Sequence, residues 1–493
     1  MDQRASLPVS LPRENPTQSY WQTPPDPEIS SLRTTESLPA DAEIVIIGSG
    51  ITGAAVAYNL LSNGARNVVM LEARGACSGA TGRNGGHTKA ASYRTFPHHA
   101  HHHGPSTAAQ IARLELSNIR AVHAFAAEHS IPCDSHPCET VDVVYSSTQW
   151  SLDQAAITEL RAALDDDDDD DTGKYTFLTP EQVAKRFHCG EENEEENEKE
   201  KVAGGIVYEA GSIDAYRFTI GLLKLCLEMG LNLQTFTPVT SITKQQQQQS
   251  GNDSNNRNTW SIQTSRGTIL STKRLILATN GYTAHLVDRF RGVIVPLRGH
   301  VTAQRPGSDM PNKGTGLDAT YSFIYEGGYD YMITKPKGSR FEGDLIIGGR
   351  LTSAECEGLY EYGTTDDTTE DEDIMRSLRD SLPGYFGENW GDDHPDGRVR
   401  RQWTGIMGYG PDGLPFVGEM PGEEGKGLWI AAGFQGHGMV LCWMCAKALV
   451  EMMEGRDDEN LRSWFPDVFR VAQERFETRF QGRLLGRKDP VAL

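Results

Sequence analysis

Residues 43–61 read EIVIIGSGITGAAVAYNLL. The apolar run that follows Glu43 predicts a buried parallel strand, and small and apolar residues recur at helical spacing over residues 52–63. Between these two elements, residues 48–53 match GxGxxG, and a second predicted strand, residues 67–72, ends on a glutamate. A glycine turn between strand and helix, followed by a strand with an acidic end, predicts a Rossmann-type βαβ unit.

Each glycine of this turn has a physical task. Gly48 allows the tight turn, Gly50 lets the backbone approach a pyrophosphate, and Gly53 lets the helix pack closely on the strand. The helix N-terminus offers unpaired N–H groups and a partial positive charge to the phosphates. Glu72 would accept hydrogen bonds from ribose hydroxyls, and its charge disfavours a 2′-phosphate. The turn therefore predicts a dinucleotide site.

Two distant segments distinguish FAD from NAD. Residues 275–281, LILATNG, predict a strand and a small-residue turn, and residues 427–439, GLWIAAGFQGHGM, predict a strand that passes through a glycine-rich turn into a helix. A second helix N-terminus directed at an anion suits the flavin N1–C2=O region, which becomes negative on reduction. Ordinary strand–turn–helix packing is the alternative. Together with the glycine turn, the two segments favour FAD.

The remaining chain interleaves helices and strands, which indicates an α/β protein with a mixed second sheet. Residues 1–40 are rich in Pro, Ser and Thr and predict an extended arm that lies on the body. Residues 293–350 are rich in predicted strands and contain a tyrosine cluster. Residues 442 and 445 are cysteines on an apolar predicted helix, where two buried thiols are favoured over a redox or metal pair.

Four low-complexity tracts are predicted to lie in surface loops and to carry no chemistry. The acidic tracts 165–171 and 191–201 account for more than half of the formal net charge of −21. The glutamines at 245–249 separate two predicted strands, and HHAHHH at 98–103 is predicted to be a flexible loop and not a metal site. We predict no metal ligands in this chain.

Composition excludes several classes of function. The negative charge balance argues against nucleic-acid binding, because little in the chain would neutralise phosphates. The N-terminal residues lack the apolar core of a secretory signal, and no stretch of roughly 18 apolar residues predicts a membrane span. Eight cysteines in 493 residues are typical of an intracellular protein. A cytoplasmic location without a membrane partner is therefore predicted.

Three stretches carry a resemblance to a known family. Residues 43–61, residues 71–87 (LEARGACSGATGRNGGH) and residues 403–439 (WTGIMGYGPDGLPFVGEM…GLWIAAGFQGHGM) resemble the FAD-dependent D-amino-acid-oxidase superfamily. GATGRNGGH is most similar to the γ-glutamylputrescine-oxidoreductase-like branch, with likeness to sarcosine and glycine oxidases. The resemblance spans roughly residues 40–455.

The resemblance implies a Rossmann-type FAD-binding domain that is discontinuous in sequence, together with a β-rich, mixed-sheet substrate domain. The FAD-binding domain would comprise residues 41–97, 202–290 and 400–455. The substrate domain would comprise residues 98–201 and 291–399 and carry the low-complexity insertions. Residues 1–40 would form the N-terminal arm and residues 456–493 a C-terminal tail.

The resemblance also implies the cofactor contacts. The ADP half would be held by Gly48, Ser49, Gly50, Ile51, Thr52, Gly53, Glu72 and Ala73, and Val239 would meet the adenine. The segment along the flavin would comprise Thr81, Arg83, Asn84, Gly85, Gly86 and His87. The pyrimidine side would be met by Gly433, Gln435, Gly436, His437, Gly438 and Met439, and Asp412 would support the cofactor from a turn.

The sequence departs from the family at four positions. Gly405 stands where sarcosine oxidases have the cysteine that binds flavin covalently, so non-covalent FAD is expected. Ile346 stands where a lysine helps oxygen to react. Met407 and Val440 stand where an arginine of glycine oxidases and a lysine of sarcosine oxidases bind the substrate carboxylate. Small α-amino acids are therefore disfavoured relative to larger amines, including acylated polyamines, and Arg298 and Arg401 are the alternative anchors.

The leading hypothesis is FAD-dependent oxidation of a C–N bond in an amine or amino-acid-derived substrate, by hydride transfer to flavin and hydrolysis of the imine. Oxygen or another acceptor would reoxidise the flavin; the alternatives are a flavin dehydrogenase with a non-oxygen acceptor and a non-catalytic flavin-binding trafficking or scaffold protein. The candidates for lining the flavin face are Tyr325, Tyr331, Trp403 and His437, with Tyr329 beside them.

Overall fold

The computed structural model describes residues 1–164, 170–189, 201–245 and 259–483. Its strands are, in chain order, β1 (Ile44–Ile47), β2 (Val68–Leu71), β3 (His87–Thr88), β4 (His136–Val144), β5 (Thr176–Leu178), β6 (Gly204–Ser212), β7 (Asn232–Gln234), β8 (Val239–Gln245), β9 (Thr259–Thr264), β10 (Gly267–Thr272), β11 (Arg274–Leu277), β12 (Val295–Gln304), β13 (Thr320–Tyr325), β14 (Gly328–Thr334), β15 (Leu345–Gly348), β16 (Val399–Tyr409), β17 (Phe416–Glu419) and β18 (Leu428–Ala432). Its α-helices are α1 (Asp2–Ala5), α2 (Ile51–Ser62), α3 (Ser92–His103), α4 (Pro105–Glu128), α5 (Ser147–Ala163), α6 (Pro180–Phe187), α7 (Ala215–Glu228), α8 (Thr283–Leu286), α9 (Glu355–Gly358), α10 (Glu372–Phe386), α11 (Cys442–Met453) and α12 (Glu459–Trp464).

A six-stranded sheet contains the predicted βαβ unit, in the order β17-β18-β11-β1-β2-β7. Its pairs are parallel except for β17 with β18. All four residues of β1 are buried, because helices and loops cover both faces of a parallel sheet at its centre. Ile44 lies opposite Val68 on one side and Arg274 on the other, so β11 of the segment 275–281 runs beside β1.

A three-stranded antiparallel sheet, β10-β9-β8, extends this part of the molecule. Residues 231–242 are divided between two sheets, because β7 pairs with β2 and β8 pairs with β9. Gln245 is the last residue of β8, and the other glutamines of that tract lie outside the described residues.

The mixed sheet has nine strands, in the order β16-β12-β15-β14-β13-β4-β6-β3, with β5 paired to β6. The β13–β4 pair is parallel and its other pairs are antiparallel. Strands β3, β6 and β16 belong to this sheet. The proposed boundaries assigned β3, β6 and most of β16 to the FAD-binding domain. The chain therefore crosses between the sheets more often than the sequence indicated.

Helices α2, α4, α7 and α11 pack together in the largest apolar core. Ala54, Val56 and Leu449 are fully buried there. Cys442 and Cys445 are both buried and free, in agreement with the prediction of two buried thiols on a helix. Of the helices in the described ranges, none is both long enough and apolar enough to cross a membrane.

The prediction of a flexible loop at the histidine tract was wrong. Residues 98–103 form the second half of α3, and His98 and His99 are buried. The helix is fixed from its first half, where Tyr93 and Phe96 are fully buried in an apolar cluster, and it continues through the tract to Gly104. Within the described residues, no group of three or more His, Cys, Asp or Glu side chains is arranged to hold a metal ion.

The acidic tract 165–171 is partly integrated into the fold. Asp170 pairs with Arg113 at 2.6 Å, and Asp171 pairs with Arg120 at 2.5 Å and with Lys174. Its last two residues are therefore held to α4 by ion pairs, and the prediction that the tract carries no chemistry stays a prediction. Residues 165–169 and 190–200 lie outside the described residues.

Within the predicted C-terminal tail, residues 456–483 pack on the body. Phe465 and Phe480 are fully buried. Arg475 makes a two-pronged ion pair with Asp412, with N–O distances of 2.8 and 3.0 Å, and also donates to the Pro415 carbonyl. This contact anchors the segment to the turn between β16 and β17.

Replacement of Arg475 by methionine is expected to lower the free energy of unfolding by about 2–3 kcal/mol, since Asp412 would lose a largely buried charged partner. Chemical denaturation measures the change. Arg376→Met is the matched control, because its pair with Asp373 is mostly exposed and is worth less than about 1 kcal/mol. Equal effects of the two variants would contradict the anchoring role.

Candidate active site

In the glycine turn at the end of β1, two of the three glycines are packed too closely against backbone to accept a side chain. Gly48 has φ +108°, and a Cβ there would lie 2.5 Å from the carbonyl oxygen of Ala278. A Cβ on Gly53 would lie 1.9 Å from the carbonyl oxygen of Gly48. Gly50 has ordinary φ, and a Cβ there would meet only Thr81 Oγ1, at 3.1 Å. Gly48 and Gly53 therefore allow the close packing of the turn, and Gly50 borders a cavity.

The N-terminus of α2 opens into this cavity. Gly50 is its N-cap and provides no side chain, and Thr81 Oγ1 accepts from the Ile51 N–H at 3.1 Å. Gly48, Gly50 and Thr52 line the cavity beside this helix end. A helix N-terminus with uncapped N–H groups and a glycine approach fits the pyrophosphate of FAD.

Glu72 organises the same turn. Its Oε2 accepts from the Ser49 N–H at 3.1 Å and from Ser49 Oγ at 2.7 Å, and its Oε1 accepts from the Arg74 N–H at 3.0 Å. Ser49 Oγ in turn accepts from the Cys77 N–H. The carboxylate therefore joins the ends of β1 and β2 while it lines the cavity, and its contact with ribose stays a prediction.

Arg83 ties the predicted flavin segment to two other parts of the chain. Its Nε donates to the Thr404 carbonyl on β16 at 2.6 Å, and its Nη2 donates to Thr17 Oγ1 at 2.6 Å. Burial lowers the pKa of Arg83 to about 10 against the opposing charge of Asp367, so the guanidinium stays cationic near neutral pH. Asp367 also pairs with Arg74 at 2.8 Å.

The N-terminal arm, residues 1–40, forms one wall of the cavity. Ser19 Oγ donates to the Gly82 carbonyl and Trp21 Nε1 to the Asn84 carbonyl, both at 2.6 Å. Residues 10–12 line the cavity directly. The arm thus lies on the body, as expected, and specifically over the segment assigned to the flavin.

The two segments that favoured FAD meet in space. Asn280 Oδ1 accepts from the backbone N–H groups of Gly433 and Phe434 at 3.0 and 3.2 Å. This side chain fixes the turn after β18, in which Gln435 has φ +56°. A Cβ on the next residue, Gly436, would lie 2.5 Å from Tyr409 Oη.

One continuous cavity collects most of the predicted cofactor residues. Those that line it are Gly48, Gly50, Ile51, Thr52, Glu72, Ala73, Thr81, Arg83, Asn84, Gly85, His87, Val239, Gly436, His437, Gly438 and Met439. Those that do not line it are Ser49, Gly53, Gly86, Asp412, Gly433 and Gln435. The second group holds the first in place, as the bonds of Ser49 and the Asp412–Arg475 pair illustrate.

The same cavity continues into a chamber lined by Tyr325, Tyr329 and Tyr331. The ring of Tyr331 packs on Gly85, where a Cβ would lie 2.3 Å from Tyr331 Cε2. The chamber is therefore in direct contact with the predicted flavin segment.

Trp403 does not line the chamber, and its predicted place there was wrong. The side chain is fully buried, its Nε1 donates to the Arg83 carbonyl at 2.7 Å, and its ring stacks on Tyr20 with 6.2 Å between centroids. The indole supports the flavin segment from the core side. The face of β16 on which Trp403 lies depends on its exact position in the strand, and spacing in the sequence alone does not give that position.

Lys89 and Arg94 are two of the lining cations that the sequence analysis missed. Lys89 pairs with Asp142 and donates to Ser322 Oγ at 2.6 Å. Arg94, on the first turn of α3, also lines the chamber. Their only signal in the sequence was the presence of basic residues in the stretch that follows GATGRNGGH.

The residues that stand where the family has charged side chains are uncharged. Met407 and Val440 line the cavity and offer no charge, and Ile346 is fully buried in the apolar core. Arg298, an alternative anchor, is engaged by Glu361 at 2.6 and 2.8 Å. Arg401, the other alternative, is bonded to Gln18 outside the cavity.

The comparison with protein families decides the identity of the fold. The family described as "DAO: FAD dependent oxidoreductase" matches residues 43–452. The chain belongs to this family. Membership in the DAO family confirms the predictions of an α/β fold with a Rossmann-type FAD-binding part, of FAD as the cofactor, and of an oxidoreductase that acts on C–N bonds.

Relatives of this DAO-family chain cover different shares of its length. The probable oxidoreductase OrdL of Rhizobium meliloti (strain 1021) is 25% identical over 89% of this chain and 91% of its own. A glycine oxidase of Pseudomonas aeruginosa is 26% identical over 40% of this chain and 45% of its own. The crystal structure of glycine oxidase from Geobacillus kaustophilus has a TM-score of 0.64 at 18% identity and covers 87% of this chain and 98% of that one, which shows the shared fold.

Gly50→Val is expected to abolish FAD binding while the protein still folds. The backbone there has ordinary φ and only Thr81 Oγ1 nearby, but the branched side chain would occupy the space through which the pyrophosphate reaches the backbone. The visible spectrum of the purified protein gives the FAD content. Gly384→Val places the same side chain on an exposed helical glycine and should stay yellow; a yellow Gly50→Val protein would refute this placement of the site.

FAD is expected in the supernatant after acid precipitation, because Gly405 provides no thiol at the covalent position of sarcosine oxidases. A Cβ at Gly405 would lie 3.0 Å from Arg83 Cβ, so the strand runs directly beside the flavin segment. Fluorescence of the supernatant and of the washed pellet measures the partition. Flavin that stays with the pellet would contradict non-covalent binding.

Proposed function

We propose that the substrate amine binds in the tyrosine-lined chamber and is oxidised there at the carbon that carries the nitrogen. The observation that supports this proposal is the continuity of the cavity. The same space is bordered by Gly50 at the pyrophosphate end and by Tyr325, Tyr329 and Tyr331 at the other. Bound FAD would accept the hydride, and the protein would bind, orient and desolvate the substrate.

The chamber favours the neutral form of the amine. Hydride leaves a carbon next to a neutral nitrogen more readily, and an apolar lining disfavours the charged ammonium. Burial raises the pKa of Tyr331 above its usual value, so its hydroxyl stays protonated and does not act as a base near neutral pH. Burial, with the charges of Arg94 and Lys89, lowers the pKa of His437 to about 4. The neutral imidazole therefore does not protonate the amine.

A second form of this function has a different electron acceptor. Ile346 is fully buried in the apolar core that also contains Trp403 and Val301, so no cation stands at that position to assist oxygen. This observation favours a dehydrogenase that passes electrons to a carrier over a fast oxidase. The yield of hydrogen peroxide during turnover in air separates the two, since an oxidase forms one peroxide for each substrate oxidised.

The cytoplasmic location, the absence of nucleic-acid and metal partners and the γ-glutamylputrescine-like branch stay predictions. We also propose the individual contacts between FAD and the predicted cofactor residues, because these contacts are inferred from the residues that line the cavity and from the family resemblance. The trafficking or scaffold alternative predicts a flavin that no amine reduces.

Amines and amino acids mixed anaerobically with the holoenzyme are expected to bleach the flavin. The bleaching rate should rise with pH as the substrate amine loses its proton, without an inflection near pH 6.5, because His437 is already neutral there. Stopped-flow absorbance measures the rate between pH 5 and pH 9. A flavin that dithionite reduces but that no amine or amino acid reduces would overturn the proposal.

A further inference from the structure

Two neighbouring side chains on the wall of the cavity carry buried polar atoms without partners. Tyr282 and His285 both line the cavity, the first just before α8 and the second within it. Tyr282 Oη and His285 Nε2 are buried, and among the described residues neither atom has a hydrogen-bond partner. A buried polar atom without a partner is costly, so two of them on one turn of chain indicate a polar ligand at this wall.

The N-terminal arm fixes the tautomer of His285. The ring Nδ1 lies 3.0 Å from the Val9 carbonyl oxygen, and a carbonyl can only accept, so Nδ1 carries the hydrogen. In the neutral ring Nε2 is then an acceptor, and the group that it needs is a hydrogen-bond donor. The amine of adenine and the hydroxyls of ribose are donors of this kind.

This wall belongs to the end of the cavity that is proposed for adenosine. Helix α8 packs against β8, which begins at Val239, the residue proposed to meet the adenine. Val9 of the arm belongs to the same apolar cluster as Val239 and Ala284. Glu72, which is proposed to bind the ribose, also lines the cavity. The donors of adenosine and the acceptor His285 Nε2 are therefore expected in one place.

The arm is bonded to two different elements at this wall. Val9 is bonded to α8 through His285, and Ser10 is bonded to the loop before α10 through Thr365, with 2.6 Å between the two hydroxyl oxygens. Residues 10–12 line the cavity between these contacts. The arm therefore joins α8 to that loop along the cavity wall. Such a piece of chain, without strand pairs of its own here, can detach by local unfolding while the sheets stay intact.

We propose that residues 9–12 of the arm close over the adenosine of bound FAD, and that His285 Nε2 accepts a hydrogen bond from this adenosine. FAD then enters and leaves only when this part of the arm has detached. Because binding free energies are reciprocal, bound FAD stabilises the closed arm as much as the closed arm stabilises bound FAD. The proposal needs FAD as the cofactor and does not depend on which amine is oxidised.

A removable tether tests the closure. Ser10→Cys combined with Thr365→Cys places two thiols where oxygens 2.6 Å apart now stand, near the S–S bond length of about 2.0 Å. Diluted holoenzyme releases FAD, and flavin fluorescence follows the release. The oxidised double variant is expected to release FAD at least about 10-fold more slowly than wild type, because the tether blocks local opening. Reductant should restore fast release, and each single cysteine variant, which cannot form the tether, is a control.

His285→Leu tests the contact with adenosine. The substitution removes the acceptor Nε2 and the bond from Nδ1 to Val9, so the holoenzyme is expected to release FAD about 5- to 10-fold faster, as for the loss of one or two hydrogen bonds. His394→Leu is the matched control, because His394 lies in a partly exposed turn outside the cavity. This control should release FAD at the wild-type rate.

Release at the wild-type rate from the disulfide-bonded protein would overturn the closure, and equal release from His285→Leu and His394→Leu would overturn the contact. If the two thiols do not pair, hydrogen exchange of the peptide that contains residues 9–11 decides. Its exchange should be faster in the full chain stripped of FAD than in the holoenzyme, and equal exchange would overturn the closure. None of these measurements involves turnover, so their failure leaves the proposed amine oxidation in place.

Discussion

The close contact between the start of α2 and the end of β1 is the constraint on which the rest of the structure depends. A single methyl group on Gly53 would lie 1.9 Å from the Gly48 carbonyl oxygen, so only glycine permits the helix to sit there. That position directs the N-terminus of α2 towards the cavity. Glu72 then closes the turn from β2 through Ser49. The dinucleotide cradle therefore follows from packing before any ligand binds.

Strands from distant parts of the chain complete the cradle at the same edge. β11 and β18 pair next to β1, and Asn280 joins the turns that follow these two strands. The nine-stranded sheet meets this edge through β16, whose Thr404 carbonyl accepts from Arg83. The hydrogen bonds of Arg83 thus connect the flavin segment with the nine-stranded sheet and the N-terminal arm at one residue. A cofactor site and a substrate chamber become neighbours as a consequence.

The fold and the cofactor cradle were predictable because they depend on local patterns. A strand, glycine turn and helix are read from adjacent residues, and the positions of Gly48, Gly50 and Gly53 leave little freedom. The chamber was less predictable, since it depends on which face of a strand or helix points inward. Trp403 occupies the core face of β16, and Arg94 reaches the chamber from the first turn of α3. Neither property is encoded in spacing along the chain.

The N-terminal arm gives the cofactor site a kinetic property. Residues 10–12 line the cavity, and Trp21 and Ser19 are bonded to the flavin segment. A bound FAD would be enclosed behind a piece of chain that contributes few long-range strand pairs and that can detach by local unfolding. Release of FAD through this wall would require the hydrogen bonds of Ser19 and Trp21 to the flavin segment to break. The arm is synthesised before β16, yet Thr17 can form its hydrogen bonds with Thr404 only after β16 has been made.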